Sequence, residues 1–91
     1  RAGHAMDVVL LFVTLERELR GRFGRLAAAL DPSGRLWVAW PKRASGVPTD
    51  LDFDTVQRIG LDAGLVDNKS GSITQDFQGL QFVYRLVDRP R

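Results

Sequence analysis

The sequence predicts an α/β fold in which a mixed sheet forms from elements in the order β-α-β-α-β-β. Two apolar segments, the first of them rich in β-branched residues, flank an amphipathic segment with helical spacing, which indicates a βαβ unit with parallel strands. A second helical segment follows, and then two strand-like segments lie close enough in sequence to pair as an antiparallel hairpin. The 91 residues are therefore expected to form a single α/β domain spanning residues 1–91.

The first strand is predicted over Asp7–Thr14, a continuous apolar run that is typical of a parallel strand covered on both faces. The first helix is predicted over 15–30, with Thr14 as its N-cap. Gly21 and Gly24 weaken this helix, and we expect them to allow close packing on the sheet. One apolar stripe runs along the helix through Leu15, Leu19, Phe23, Leu26, Ala27 and Leu30.

The second strand is predicted over Arg35–Trp40, which is again apolar on both faces. Asp31–Gly34 has the composition of a turn and is expected to end the helix before it, while Pro41 ends the strand. Side chains alternate along a strand, so Trp37 and Trp40 belong to opposite faces, and we expect each to pack under a helix.

The second half of the chain supplies one helix and the hairpin. Thr49–Asp52 fits a capping box in which aspartate replaces the usual glutamate, so the second helix is expected to begin there. Gly64 is the expected C-cap of that helix. The third strand is predicted over Leu65–Thr74 and the fourth over Leu80–Val87.

Composition excludes several kinds of chemistry. The chain has no cysteine and one histidine, so a disulfide framework, a thiolate metal site and a multi-histidine site are excluded. His4 precedes the predicted fold. The polar group Asp67, Asn68, Lys69 and Ser72 matches no triad or metal spacing. We therefore predict no catalytic residue, no metal and no cofactor, and we favour a protein that is not an enzyme.

The charge is close to balanced but unevenly distributed. The chain has thirteen basic and eleven acidic residues. Residues 1–45 hold eight basic and four acidic side chains, and residues 46–91 hold five and seven. The predicted first helix carries four arginines interleaved with glutamates, and no aromatic residue lies among them on the outer face to stack on a base. This pattern favours a solvated helix face over a nucleic-acid surface. The four arginines are Arg17, Arg20, Arg22 and Arg25.

The loop after the second strand is the candidate ligand site. Ligands of open α/β sheets bind beyond the carboxyl ends of the parallel strands, where this loop begins. Lys42 and Arg43 could hold a phosphate or carboxylate, Ser45 could donate a hydrogen bond, and Trp40 could line the pocket. The alternative interpretation is a solvated loop whose cations keep the domain soluble.

Three aspartates at the start of the second helix favour that alternative. Asp50, Asp52 and Asp54 lie where a helix N-terminus would otherwise attract an anion. Their carboxylates would already satisfy the helix dipole, and they would repel a phosphate.

Two segments carry a broad resemblance. Asp7–Leu11 and Leu30–Leu36 resemble the C-terminal half of Rossmann-like methyltransferases, in which a strand beginning with aspartate leads to a helix, a Pro-Gly turn and a further strand. The resemblance implies half of a Rossmann-like sheet, a parallel βαβ unit followed by an antiparallel hairpin. The half that would bind S-adenosylmethionine in such proteins has no counterpart in these residues.

The chain also resembles a small bacterial family known as domain-of-unknown-function family 3052. Trp40–Arg43, with the letters Trp-Pro-Lys-Arg, is the most specific part of this resemblance. Members usually carry a further N-terminal segment with a strand, so the resemblance implies that this chain lacks one. It implies no reaction or substrate. The resembling segments are 7–14, 36–43, 49–51, 64–69 and 79–83.

Two functions stay open at this point. The first is a non-catalytic domain that acts through protein contact or self-association as a homodimer, because an apolar edge strand over Asp7–Thr14 invites pairing. The alternative is a Rossmann-like domain that binds a small molecule or nucleotide through the loop after the second strand. No apolar run approaches the ~20 residues of a membrane span, and no signal peptide is visible, so we expect a cytoplasmic protein.

Overall fold

The computed structural model describes residues 6–85, so His4 and the predicted end of the last strand lie outside the described residues. The predicted α/β class and element order are confirmed. The elements are β1 (Met6–Phe12), α1 (Glu16–Ala29), β2 (Leu30–Pro41), a 3₁₀ turn (Arg43–Ser45), α2 (Phe53–Asp62), β3 (Leu65–Ser72) and β4 (Phe77–Tyr84). Neither described helix is long and apolar enough to cross a membrane.

The four strands form one mixed sheet in the order β1-β2-β4-β3. β1 and β2 pair in parallel, as the predicted βαβ unit requires. β4 pairs antiparallel with both β2 and β3, so the predicted hairpin is present and its second strand lies inside the sheet. β1 and β3 are the two edges of the described sheet.

β2 begins earlier than the sequence predicts. α1 ends at Ala29, and the strand follows at once from Leu30. The register of the parallel ladder shifts across residues 31–34, so the predicted turn is a bulge within the strand and not a link before it. The Asp31 carboxylate accepts hydrogen bonds from the backbone N–H and the hydroxyl of Ser33, at 2.9 and 2.8 Å. These local bonds explain why the composition of this segment is that of a turn.

The hydrophobic core lies between the two helices and one face of the sheet. Phe23 of α1 packs edge-on against Phe82 of β4, with ring centroids 5.3 Å apart. A Cβ atom added at Gly60 of α2 would overlap the same Phe82 ring, so both helices pack on this face. The Tyr84 hydroxyl donates a 2.6 Å hydrogen bond to the carbonyl of Ala27, near the end of α1. The core residues of β2, β3 and β4 are Leu30, Leu36, Val38, Trp40, Leu65, Leu80 and Phe82.

In the part of the chain that the structure describes, no helix covers the opposite face of the sheet, and this face is open along β1. Val8, Leu10 and Phe12 of β1 point to this face and are 60%, 49% and 46% exposed. Trp37 of β2 is half-buried there. The predictions that both faces of the first strand are covered, and that Trp37 packs under a helix, are therefore wrong. A continuous apolar run indicates which side chains can be buried, but the two helices that follow it cover only one face.

The two glycines of α1 do not pack against the sheet as the sequence predicts. Gly21 and Gly24 are exposed, and a Cβ atom at either would meet no other atom within 4 Å. The prediction that they allow close packing on the sheet is wrong, because they lie on the solvent side of α1. Close approach of a helix to the sheet occurs at Gly60 of α2 instead.

Candidate functional site

Two loops meet at the carboxyl ends of the parallel strands. The pairing of β1 with β2 extends past β1, since the Val13 amide donates to the Ala39 carbonyl at 3.0 Å. Beyond that point the Thr49 hydroxyl donates a 2.6 Å hydrogen bond to the Thr14 carbonyl and accepts one from the Leu51 amide at 3.0 Å. The loop after β2 is thus tied to the loop after β1 across 35 residues of sequence.

The N-terminus of α1 is capped from the other loop. Leu15 occupies the N-cap position and makes no side-chain hydrogen bond. The Asp50 carboxylate instead accepts a 2.7 Å hydrogen bond from the Glu16 amide. The prediction of Thr14 as N-cap is wrong, because its carbonyl is bound by Thr49 and the helix starts two residues later. A carboxylate at this position also complements the positive end of the helix dipole.

α2 has its own cap. The helix begins at Phe53, and the Asp52 carboxylate accepts a 2.8 Å hydrogen bond from the Thr55 amide. Hydrogen bonds from the Thr55 backbone and side chain, helped by the charge of Arg43, hold the pKa of Asp52 below its ordinary value. The predicted capping box over Thr49–Asp52 is wrong, because Thr49 serves the loop contact and Asp52 is the first capping residue.

An open cavity of about 790 Å³ lies at this edge of the sheet. Trp40 lines it from the end of β2, and its side chain is 1% exposed. The indole Nε1 is buried and has no hydrogen-bond partner within residues 6–85. Arg43 lines the cavity from the 3₁₀ turn, Asp54 from the first turn of α2, and Gln78 from β4. Gln78 pairs with Trp40 in the antiparallel ladder, which brings it to the cavity.

The side chains of Lys42 and Ser45 do not line this cavity and make other contacts. The Lys42 ammonium group donates a 2.6 Å hydrogen bond to the Ser72 hydroxyl of β3, and Lys42 lines a separate cavity of about 360 Å³. The Ser45 hydroxyl donates to the Lys42 carbonyl at 2.7 Å and accepts from the Val47 amide at 3.1 Å. Ser45 therefore holds the shape of the loop. Of the four predicted ligand residues, the cavity brings Trp40 and Arg43 together.

The cavity offers binding groups of both charges. The Asp50 and Asp52 carboxylates are engaged with the N-termini of the two helices, which leaves Arg43 and Asp54 as charged groups without a capping role. Residues 6–85 contain no group of three or more His, Asp or Glu side chains placed to hold a metal ion. The arrangement can hold a ligand that combines an apolar or aromatic body with polar substituents.

Sequence reasoning missed two members of this site. Asp50 was expected at the second helix, yet it caps the first. The available signal was that Thr49, Asp50 and Asp52 are three N-cap residue types before a single helix, more than one N-terminus needs. No local sequence pattern marks Gln78 as a site residue, because only the pairing of β4 with β2 brings it beside Trp40.

No family model matches this chain, and no curated protein matches it. Solved structures do match. Magnesium protoporphyrin IX methyltransferase (ChlM) from Synechocystis PCC 6803 with bound SAM is 16% identical over 93% of this chain, with a TM-score of 0.70. The same enzyme with bound SAH is 17% identical over 93%, with a TM-score of 0.71. TnmH is 16% identical over 89% of this chain, with a TM-score of 0.68.

The matched region is one part of these proteins. It covers 42% and 47% of the two ChlM chains and 31% of TnmH, so this chain spans less than half of their length. At this identity the likeness shows the fold. The four-stranded mixed sheet with its two helices has an α/β fold that resembles the methyltransferase fold.

Proposed function

We propose that this chain is a Rossmann-like domain that binds a small molecule at the carboxyl ends of β1 and β2. The observation that carries the proposal is the 790 Å³ cavity lined by Trp40 and Arg43 between two loops that are tied together. Open α/β sheets bind their ligands at this edge. Structures of the same fold, ChlM with bound SAM and with bound SAH, support a small molecule as the ligand.

Each predicted ligand residue has a place in this proposal. Arg43 pairs with an anionic group of the ligand, and the buried Trp40 provides an apolar wall. Ser45 fixes the loop that carries Arg43, through its bonds to Lys42 and Val47. Lys42 anchors the start of that loop to β3 through Ser72.

A titration followed by nuclear magnetic resonance tests ligand binding. SAM, SAH and ATP are added to the labelled chain, and the indole N–H resonances of its two tryptophans are followed. We expect the Trp40 resonance to shift and Trp37, on the other face, to stay in place. Arg43→Ala is expected to weaken binding about tenfold, while Arg17→Ala on the exposed side of α1 leaves it unchanged. If no compound shifts Trp40 in the folded chain, this proposal fails for nucleotide-like ligands.

Protein contact through β1 is the second candidate function. Val8, Leu10 and Phe12 expose apolar side chains on an edge strand of the described sheet, a combination that favours pairing with another chain. A homodimer is one form of this contact. Sedimentation over a range of concentrations tests it, because a stable monomer at the highest concentration would exclude a homodimer.

The resemblance of Trp40–Arg43 to domain-of-unknown-function family 3052 supports a further part of the proposal. We infer a bacterial protein of the cytoplasm, in which this α/β domain is a non-catalytic module or the ligand-binding part of a larger protein. Expression of a tagged chain in a bacterium, followed by fractionation, tests the compartment. Recovery in the membrane or periplasmic fraction would contradict it.

A further inference from the structure

The free edge of β1 combines an open backbone with an apolar face. β1 pairs only with β2 in the described sheet, so its other side presents unpaired backbone groups. The Val13 amide bonds to Ala39 of β2, and alternation along the strand then directs the N–H and C=O of Leu10 to the free side. Val8 and Leu10 carry apolar side chains on the open face beside this edge.

The helix side of the same edge has a different chemistry. A cavity of about 370 Å³ lies there, lined by β1 residues such as Val9 and Leu11 and by Arg22 and Arg25 of α1. Both arginines are exposed, and neither forms an ion pair with a carboxylate of residues 6–85. In contrast, Arg20 on the same helix pairs with Glu16 at 2.8 Å.

We propose that this edge receives an extended polypeptide segment that adds a strand beside β1 and carries carboxylates toward α1; the proposal rests on the second candidate function. Side chains of an added strand alternate between the two faces of the sheet. One set would extend the apolar surface of Val8 and Leu10. The other set would enter the cavity, where Asp or Glu side chains meet Arg22 and Arg25 in charge-assisted hydrogen bonds.

The arginines disfavour a second copy of this chain as the occupant. Two β1 edges pair antiparallel about a two-fold axis normal to the sheet, and this operation keeps α1 of both copies on the same face. The arginines of both copies would then lie on one face of the joined sheet, and no acidic side chain lines the cavity to compensate for their charge. Like charges on the same face of an interface oppose association. A segment with acidic side chains removes that repulsion.

Two synthetic peptides of about eight residues, a usual strand length, test the inference. One alternates valine with glutamate, and the other alternates valine with lysine. Binding to the labelled chain is followed by the amide resonance of Leu10 and by the anisotropy of a fluorescent peptide. We expect the glutamate peptide to bind about tenfold more tightly than the lysine peptide.

Two protein variants separate the backbone contribution from the charge contribution. The double substitution Arg22→Glu and Arg25→Glu is expected to reverse the preference between the peptides, whereas Arg17→Glu leaves it unchanged. Leu10→Pro removes an N–H that faces the free edge and is expected to abolish binding of both peptides. The circular dichroism spectrum of each variant reports whether the fold is intact.

The outcomes separate this inference from the function on which it rests. Equal binding of both peptides, unaffected by charge reversal, would overturn the acidic partner while the edge still acts as a contact surface. Binding of neither peptide by a chain that sediments as a monomer would overturn both. A dimer that Leu10→Pro dissociates would show that the occupant is a second copy, which also overturns the inference.

Discussion

Asp50 accepts a hydrogen bond from the backbone N–H of Glu16 at 2.7 Å, so the loop after β2 caps the helix that follows β1. The neighbouring bond from Thr49 to the Thr14 carbonyl joins the same two loops. The first turn of α1 and the wall of the 790 Å³ cavity therefore depend on the same pair of hydrogen bonds between distant parts of the chain. Changes at this contact are expected to affect stability and ligand binding together.

Replacement of Asp50 tests that dependence. Asp50→Ala leaves the Glu16 amide without its acceptor, and we expect a loss of about 1 kcal/mol in the free energy of unfolding. Asp50→Asn keeps an oxygen acceptor and is expected to retain most of that stability. Urea denaturation measures both variants. Equal destabilisation by the two substitutions would contradict a capping role.

The glycines of the two helices are expected to respond in opposite directions. Gly21→Ala and Gly24→Ala place a methyl group in open space and are each expected to raise the free energy of unfolding by about 0.5–1 kcal/mol. Gly60→Ala forces a methyl group into the Phe82 ring and is expected to cost about 1–3 kcal/mol. Thermal and urea unfolding measure the three variants, and a stabilised Gly60→Ala would disprove the close contact of α2 with the sheet.

Asp52 is expected to make stability depend on acid pH. Hydrogen bonds from Thr55 and the charge of Arg43 lower its pKa in the folded state, below the ordinary value of 3.8. The folded state then binds this proton less readily than the unfolded state, so the stabilisation is present above 3.8 and is lost as pH falls through the lowered pKa. Asp52→Asn removes this contribution.

Urea midpoints measured between neutral pH and about pH 2 test the acid dependence. The difference between the original chain and Asp52→Asn is expected to shrink toward the acid end. Asp54→Asn is the matched control, because Asp54 is in the same helical turn and makes no capping bond within the described residues. An unchanged difference across the range would contradict the effect of Asp52.

The two sides of β1 are expected to tolerate substitution differently. Val8→Thr and Leu10→Thr alter exposed side chains, so we expect the free energy of unfolding to change by about 0.5 kcal/mol or less. Leu11→Ala removes a buried side chain from the core and is expected to cost about 2–4 kcal/mol. Urea denaturation compares the variants. A large loss from Leu10→Thr would indicate that the open face is covered.

Local sequence patterns predicted the helices and strands. Contacts between residues distant in sequence determine which side chains are buried and which ones line the cavity. The apolar stripe of α1 and the hairpin of β3 with β4 follow from periodicity and short separation, which the sequence displays directly. Asp50 and Gln78 reach the cavity only through packing and strand order. The exposure of Val8 and Leu10 could not be predicted from the sequence either. A continuous apolar strand has the same residue pattern whether helices cover one face of the sheet or both.

The position of β4 between β2 and β3 has a consequence for how the sheet is completed. β3 pairs with no other described strand, so it joins the parallel pair only through β4. The hairpin can form early from its short turn, while the pairing of β4 with β2 closes a loop that includes α2. Deletion of residues 77–84 would therefore leave β3 without a partner strand and reduce the sheet to the parallel pair of β1 and β2, whereas loss of β1 or β3 would only narrow it.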